Sequence, residues 1–300
     1  MNRPRAVLGI DVGGTTVKAR LETVAGELLE ARREATPKGD ADAARLAALA
    51  ARLAVDAAAH AEVAAIGLVV PGIVQVATGR SVLAVNLGWR DVPVVERVRA
   101  ALRQRGVDAP LVFGQDVRAG ALAEAVNGAA LGIPGPVVFL PIGTGVAASV
   151  VTDGEVLFPD GWAGEVGQLR LTDARFGGRL LEDIASAPAL AASAGAPDAR
   201  IAIERAVAGD PQAGAALDDA VAALAEAAAW FVAVLGCSRI VLGGGLAEAG
   251  EAVLTPLREA VAGRLEGFPP VEIVGAAHGD VAGAIGAALL ARRAAGDARR

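Results

Sequence analysis

Val7-Leu8-Gly9-Ile10-Asp11-Val12-Gly13-Gly14-Thr15-Thr16-Val17-Lys18 places an apolar strand, one carboxylate, two adjacent glycines and two hydroxyls side by side. Glycine lacks a Cβ, so such a turn reaches backbone angles closed to other residues and brings its N–H groups close to an anion. The stretch reads as a phosphate-binding hairpin, with Thr15 and Thr16 as further hydrogen-bond donors. Beyond the glycines, Val17, Ala19 and Leu21 alternate with Lys18, Arg20 and Glu22, a period of two that predicts a second strand. A P-loop or a dinucleotide fingerprint would require other glycine spacings and a helix at this point, and neither is present. An ordinary tight hairpin is the competing reading of the stretch taken alone.

A chain of 300 residues exceeds the usual size of one core, which predicts two lobes. With 54% hydrophobic residues, 3% aromatics and no Tyr, the core is built from Ala, Val and Leu. The net charge of −6, with basic residues dispersed except at Arg299 and Arg300, argues against a nucleic-acid surface. Cys237 has no second cysteine to pair with, which fits a reducing, cytoplasmic setting and a role as a small buried hydrophobe. Met1 to Arg5 is short and polar, so no signal peptide is expected. The uncharged run between Glu124 and Asp153 is broken by Pro134, Pro136 and Pro141 and by several glycines, which argues against a membrane span. The uncharged run from Ala227 to Ser238 is too short for one, and its Ala227–Val232 part reads as a buried helix.

Further along, Gly26-Glu27 turns into a third strand at 28–31, a helix is expected over 40–61, and 64–70 reads as a buried strand stopped by Pro71-Gly72. The loop Val85-Asn86-Leu87-Gly88-Trp89-Arg90-Asp91 precedes a helix at about 94–105. A strand at 111–113 then runs through Gly114-Gln115 to Asp116, where a helix to Asn127 begins. Asp116 there suits either an N-cap or a functional carboxylate at the C-terminal edge of a sheet. The opening pattern then recurs: a strand at 137–142, a Gly143-Thr144-Gly145 turn and a strand at 146–151 that ends at Asp153-Gly154. The two hairpins suggest a duplicated plan, with convergent turn chemistry as the alternative. Asp160 to Gln168 is a glycine-rich loop carrying Glu165 and Gln168, and a helix with Glu182 near its start follows. Alanine-rich helices fill 198–235. A strand at 238–242, a Gly243-Gly244-Gly245 turn able to hold a flat ligand, a helix over 248–265, a strand at 271–274 and a helix from 281 complete the chain.

In order and spacing these motifs match one family along nearly the whole chain, and the sequence resembles a ROK-family sugar kinase of the bacterial glucokinase type. The resemblance is carried by Asp11-Val12-Gly13-Gly14-Thr15, Asn86-Leu87-Gly88-Trp89, Asp116, Ile142-Gly143-Thr144-Gly145, Gly164-Glu165-Val166-Gly167, Leu181-Glu182 and Leu242-Gly243-Gly244-Gly245. It implies a two-lobed α/β fold of the actin-like, ribonuclease H-like ATPase kind with a cleft between lobes. One lobe would span 1–115 and be completed by the last helix, about 281–300, and the larger would span 116–280. It also implies transfer of the γ-phosphoryl group of ATP to the primary hydroxyl of a hexose, most simply glucose, by a cytoplasmic homodimer. Asp116 would be the general base, and Asn86, Gln115, Glu165, Gln168 and Glu182 would bind sugar. Gly13, Gly14, Thr15, Thr16, Lys18, Gly143, Thr144, Gly145, Gly243, Gly244 and Gly245 would bind nucleotide. Asp11 would hold Mg²⁺ and phosphate through water in the family pattern.

This chain departs from that pattern. Gln115-Asp116-Val117-Arg118 stands where the family has Asn-Asp-x-Asn, so sugar preference is open between glucose and another hexose such as an N-acetylhexosamine. The family's zinc site has a His where Gln168 stands and three Cys in a segment that here, from Thr172 to Leu181, has none, so no zinc is expected. Competing classes are a sugar-responsive regulator, which would need a helix-turn-helix ahead of the first strand, a catalytically inactive sugar-binding protein, and a nicotinamide enzyme, disfavoured because strands follow the first two glycine turns. His60 and His278 read as structural or surface residues, and nothing supports nucleophilic hydrolase chemistry.

Overall fold

The opening stretch folds as the two antiparallel strands β1 (Arg5–Val12) and β2 (Thr16–Thr23), registered from Ala6 opposite Thr23 to Val12 opposite Val17. In the computed structural model, which describes residues 3–158 and 160–296, they are followed by β3 (Leu28–Ala35), α1 (Ala44–His60) and β4 (Glu62–Val70). Next come β5 (Ile73–Gln75), β6 (Arg80–Ala84), β7 (Trp89–Val92), α2 (Val94–Gln104), β8 (Leu111–Gln115) and α3 (Asp116–Asn127). The first sheet has the order β3-β2-β1-β4-β8, with β1, β4 and β8 parallel. β5, β6 and β7 form a separate small sheet.

The second half repeats the plan. It contains β9 (Pro136–Pro141), β10 (Ser149–Thr152), β11 (Glu155–Val156), α4 (Glu182–Ala185), α5 (Ala187–Ser193), α6 (Ala199–Val207) and α7 (Pro211–Leu235), then β12 (Arg239–Gly243), α8 (Gly244–Ala247), α9 (Glu251–Arg264) and β13 (Glu272–Gly275). Its sheet order, β11-β10-β9-β12-β13, is the first order over again: an antiparallel hairpin and third strand, then two strands parallel to the hairpin's first. Asp153 and Gly154, both at positive φ (52° and 81°), make the β10–β11 turn. The last helix, α10 (Ala282–Ala294), returns to the first sheet.

By contacts the chain divides into one unit of residues 1–123, 158–162 and 281–300 and another of 124–157 and 163–280, so the division falls inside α3 rather than just before it. The expectations for Arg299 and Arg300, for the end of the last helix at 300 and for Met1 and Asn2 lie outside the described residues.

In the first unit, alternation along β1 sends Leu8, Ile10 and Val12 into a core with Leu46 and Leu53 of α1 and Val98 and Leu102 of α2. The opposite face carries Val7, Gly9 and Asp11 and is covered by α10. Backbone meets backbone there. A Cβ on Gly9 would stand 2.5 Å from the Ala288 nitrogen, one on Gly67 of β4 would stand 1.9 Å from the Ala287 carbonyl oxygen, and one on Gly286 would stand 1.9 Å from the Ala119 carbonyl oxygen. No side chain fits at these three positions.

In the second unit, α7 packs its Ala220–Ala228 stretch and Val232 into a core with Leu140, Ile142 and Leu242. The expectation of a fully buried Ala227–Val232 is corrected here: Trp230 is 59% exposed, because at a pitch of 3.6 residues the outward stripe of α7 passes through Trp230 and Val234. Helix 40–61 also begins later than expected, at Ala44. Asp40 caps it from outside, its carboxylate accepting the Arg45 N–H (2.9 Å) and the Leu46 N–H (2.7 Å), while its carbonyl accepts the Trp89 indole N–H (2.7 Å). The helix expected over 248–265 begins later, at Glu251, because Gly250 just before it has φ 60° and ψ −132°. Cys237 is buried, and burial pushes its thiol up to about 11, which suits a hydrophobe and not a nucleophile.

One carboxylate fastens an irregular segment of the second unit. Glu226 of α7 accepts the Thr172 N–H (2.6 Å), the Thr172 hydroxyl (2.7 Å) and the Asp173 N–H (3.2 Å). Burial pushes its carboxyl up, but these three hydrogen bonds outweigh burial and leave it below the ordinary glutamate value of 4.5. A depressed carboxylate stabilises fully above its unfolded value and loses that stabilisation as pH falls through the folded one. Thermal melts of wild type and Glu226→Gln are therefore expected to differ at neutral pH and to converge as the pH falls through the lowered folded-state value. Gly67→Ala is expected to cost about 1–3 kcal/mol or more in urea unfolding. Gly263→Ala, in α9 with open space around it, is expected to gain about 0.5–1 kcal/mol.

Candidate functional site

The first glycine turn is closed by the Gly13 N–H donating to the Thr16 carbonyl (3.0 Å). It is braced from β3 onward: the Thr36 hydroxyl donates to the Gly13 carbonyl (2.7 Å) and the Lys38 ammonium to the Gly14 carbonyl (2.5 Å). Thr15 at its tip is exposed. Asn86, in the single turn Val85–Leu87 between β6 and β7, lies against the glycines, because a Cβ on Gly14 would stand 3.2 Å from the Asn86 Cβ. Buried Trp89, held by Asp40, anchors that turn two residues later.

Asp11, next to last in β1, is only 7% exposed. Lys18 stands directly opposite it across the hairpin, and a Cβ on Gly283 would come within 2.7 Å of its Oδ2. The carboxylate thus sits at the first turn of α10, where the helix dipole favours negative charge. On the same sheet, Asp11 pairs with Val69 of β4, and Val70 pairs with Gln115 of β8. Asp11 and Asp116 therefore share the C-terminal edge of the parallel strands, two strand spacings or roughly 10 Å apart. Open α/β sheets bind ligands at this edge.

Of the two sequence readings of Asp116, the cap is taken by its neighbour. Gln115, 6% exposed, accepts the Arg118 N–H on its Oε1 (2.8 Å), the three-residue reach of an N-cap. Asp116 is already helical and half-buried, and its Oδ1 accepts the Val117 N–H (2.8 Å). Arg118 reaches from the same helical turn to the Gly161 carbonyl (2.8 Å) and the Asp160 carbonyl (3.4 Å). Asp160 in turn accepts the Val76 N–H (3.0 Å), so residues 160–161 are tied into the first unit beside the start of α3.

The second unit gathers its own set. Gly143-Thr144-Gly145 closes with the Gly143 N–H on the Gly145 carbonyl (3.0 Å) and bridges Ile142 to Val146, with Thr144 exposed. The third glycine run lies on the neighbouring strand end: Gly243 is in register with Pro141, and the Ile142 N–H donates to the Gly243 carbonyl (2.9 Å). Gly244 has φ 74°, and a Cβ there would stand 2.2 Å from the Ile142 carbonyl oxygen. Gly244-Gly245 opens the short α8 rather than remaining a turn. Gly164, at φ 96°, docks the loop 160–168 by accepting the Ala148 N–H (2.8 Å), and the Gly167 N–H donates to the Val146 carbonyl (2.9 Å). Half-buried Glu165 lies between these two anchors. The Gln168 amide donates to Glu182 Oε1, and Glu182 Oε2 lies against Gly167 and Gly145, whose added Cβ atoms would stand 2.8 and 3.3 Å from it.

Within each unit the structure therefore brings the predicted residues together. The first holds Asp11, Gly13, Gly14, Thr15, Thr16, Lys18, Asn86, Gln115 and Asp116; the second holds Gly143, Thr144, Gly145, Glu165, Gln168, Glu182, Gly243, Gly244 and Gly245. Sequence reasoning missed Lys38, Thr36, Asp160 and Glu226, which act through pairings across 23 to 84 residues and follow no local spacing. Among the described residues, no group of three or more His, Cys, Asp and Glu side chains is arranged to hold a metal, and no helix is long and apolar enough to cross a membrane.

Comparison with known proteins finds relatives along nearly the whole chain. The chain is 29% identical to the glucokinase of Halalkalibacterium halodurans, covering 85% of this chain and 84% of that protein. It is 32% identical to an N-acetylmannosamine kinase of Escherichia coli O139:H28, covering 95% and 98%. The crystal structure of a ROK family glucokinase from Streptomyces griseus with glucose and AMPPNP superposes with a TM-score of 0.80 at 25% identity, covering 96% of this chain and 99% of that one. A putative xylose repressor of Caldicellulosiruptor also matches, over 55% of this chain and 41% of its own length. The fold is thus the actin-like ATPase fold of these kinases. The model of the ROK family matches residues 7–294, and the chain belongs to the ROK family.

Proposed function

We propose that this ROK protein is an ATP-dependent kinase that transfers the γ-phosphoryl group to the 6-hydroxyl of a hexose, with glucose the first candidate. The observation that carries the reading is the placement of Asp116 on the same sheet edge as Asp11 and its glycine turn, with its cap duty taken over by Gln115. A half-buried carboxylate at that sheet edge suits the role of general base. In this reading Asp116 accepts the proton of the 6-hydroxyl as that oxygen attacks the γ-phosphorus, and the bond to the β-phosphate oxygen breaks, its electron pair leaving with ADP. Phosphoryl transfer asks mainly for positioning and charge neutralisation. The N–H groups of Gly13, Gly14 and Gly143–Gly145 and the hydroxyls of Thr15, Thr16 and Thr144 would supply it, with Lys18 as a cation and Gly243–Gly245 as the adenosine platform.

Mg²⁺ prefers hard oxygen ligands and keeps several waters, and the single buried carboxylate of Asp11 suits such a partly hydrated ion shared with the phosphates. Bound there, it would offset charge developing on the phosphate oxygens. Asn86, Gln115, Glu165, Gln168 and Glu182 are the sugar contacts of this reading. Since Gln115 spends its oxygen on α3, it would meet a sugar hydroxyl as an amide donor, and this bears on the choice between glucose and an N-acetylhexosamine. Structural zinc has no part in the reading, since the cysteine-free segment from Thr172 is fastened by Glu226. The assembly is taken as a cytoplasmic homodimer, which light scattering on the purified protein checks.

With Mg-ATP, purified protein is expected to phosphorylate one or more of glucose, mannose, N-acetylglucosamine, N-acetylmannosamine and fructose in a coupled assay. Asp116→Asn is expected to lower kcat by about 10²–10⁴-fold while sugar binding, read by calorimetry, stays within about threefold. Wild-type turnover in Asp116→Asn would remove the base assignment. Sugar binding by wild type without turnover on any of the five would favour the inactive sugar-binding alternative.

A further inference from the structure

Residues 169–181 form an excursion whose two ends are sugar-site candidates, with Gln168 immediately before it and Glu182 immediately after. At the base the Leu181 N–H donates to the Leu169 carbonyl (2.9 Å), the Leu171 N–H donates to the Arg179 carbonyl (3.0 Å), and Arg170 bridges Leu180. This ladder sets the spacing of Gln168 and Glu182 and so their mutual hydrogen bond. The excursion has little regular structure of its own, one 3-10 turn at Ala174–Phe176, and Phe176 buries its ring. Its outgoing strand is fastened by a side chain from elsewhere in the chain.

That side chain is Glu226. It lies in the middle of the 25-residue α7, is 9% exposed and is flanked by Ala225, Ala227, Ala228 and Ala229, none of which offers a polar side chain. Burying a carboxylate in an alanine-lined surface is costly unless its oxygens are filled. All three donors that fill them belong to Thr172 and Asp173: two N–H groups and one hydroxyl. Asp173 also pairs with Arg264 (3.4 Å) and Arg175 (3.5 Å), so the point of attachment is braced on its other side. The glycine turn of the same unit meets Glu182 at Gly145 but has hydrogen bonds that do not involve residues 169–181, from the Ala187 N–H to the Gly143 carbonyl (2.9 Å) and from the Gly143 N–H to the Gly145 carbonyl (3.0 Å).

From these attachments we infer that Glu226 is a positioning residue for the sugar: by clamping Thr172 and Asp173 it holds the ladder that presents Glu182 and Gln168, while the nucleotide turn keeps hydrogen bonds of its own. The inference rests on the sugar-kinase reading above and assigns a role to a residue well away in sequence from every predicted contact. Glu226→Gln puts an amide donor where two N–H groups and a hydroxyl donate, whereas Thr172→Val removes the hydroxyl alone and Thr172→Ser restores it.

Steady-state kinetics on the accepted sugar is the test, together with amide exchange of the unliganded protein. Losing one or two hydrogen bonds at a buried acceptor predicts a sugar KM raised about tenfold in Glu226→Gln and about threefold in Thr172→Val. Thr172→Ser is expected to stay within about twofold of wild type, as are kcat and the nucleotide KM in all three variants. Residues 164–169 and 180–184 are expected to exchange faster in Glu226→Gln while 137–151 keep their rate. A folded Glu226→Gln with wild-type sugar KM would overturn the inference, as would equal shifts in sugar and nucleotide KM or unchanged exchange at 164–169. Should Glu226→Gln fail to fold, the Thr172→Val and Thr172→Ser pair decides by the same KM criterion. If wild type phosphorylates no sugar, the kinase reading fails by itself, and the exchange comparison still decides whether Glu226 controls the Gln168 and Glu182 ends.

Discussion

The closest approach in the first unit is between main chains, where α10 lies on β1 and β4 at Gly9 and Gly67 and on α3 at Gly286. No side chain separates these backbones, so the helix is fixed at a distance that only glycine permits. The consequence reaches the site. Close seating brings the first turn of α10 onto the Asp11 carboxylate, giving a nearly buried anion a helix N-terminus in a core that offers few aromatic or polar partners. It also locks α3, and with it Asp116, to the helix that closes the sheet.

A second device recurs throughout the molecule. Three buried carboxylates, Asp40, Glu124 and Glu226, each collect backbone N–H groups from loops and helix starts. Asp40 takes those of Arg45 and Leu46, Glu124 takes those of Ala129, Ala277 and His278, and Glu226 takes those of Thr172 and Asp173. Core side chains drawn largely from Ala, Val and Leu give little shape by which an irregular segment can be held in one place. A charged acceptor with several N–H donors holds it instead, because leaving any of these groups unpaired in the interior would cost more than pairing gains. Two of these residues border the proposed site: Asp40 steadies Trp89 behind Asn86 through its backbone carbonyl, and Glu226 steadies the excursion between Gln168 and Glu182.

The hairpins at Gly13-Gly14 and Gly143-Thr144-Gly145 were legible because a turn and its flanking strands are written in adjacent residues. So was the position of Asp116 at a strand end, where an apolar run gives way to a helix. The division of labour between Gln115 and Asp116 was not legible, since either residue satisfies the local rule for a cap and only the observed backbone shows which oxygen meets the Arg118 N–H. Nor was the outward turn of Trp230, since an uncharged run looks the same whether or not its helix has a neighbour on every side.

By itself the sequence determined the two copies of a strand-turn-strand plan, the glycine turns and the candidate carboxylates, all through spacings of a few residues. Only the tertiary structure decided why Gly9, Gly67 and Gly286 are glycines, which carboxylates hold loops and which stand at the sheet edge, and that Lys38 reaches the first glycine turn and Glu226 the segment from Thr172. The physical reason is one of range. Backbone conformation follows from neighbouring residues, whereas packing distance and the filling of a buried acceptor depend on groups that meet only once the chain has folded.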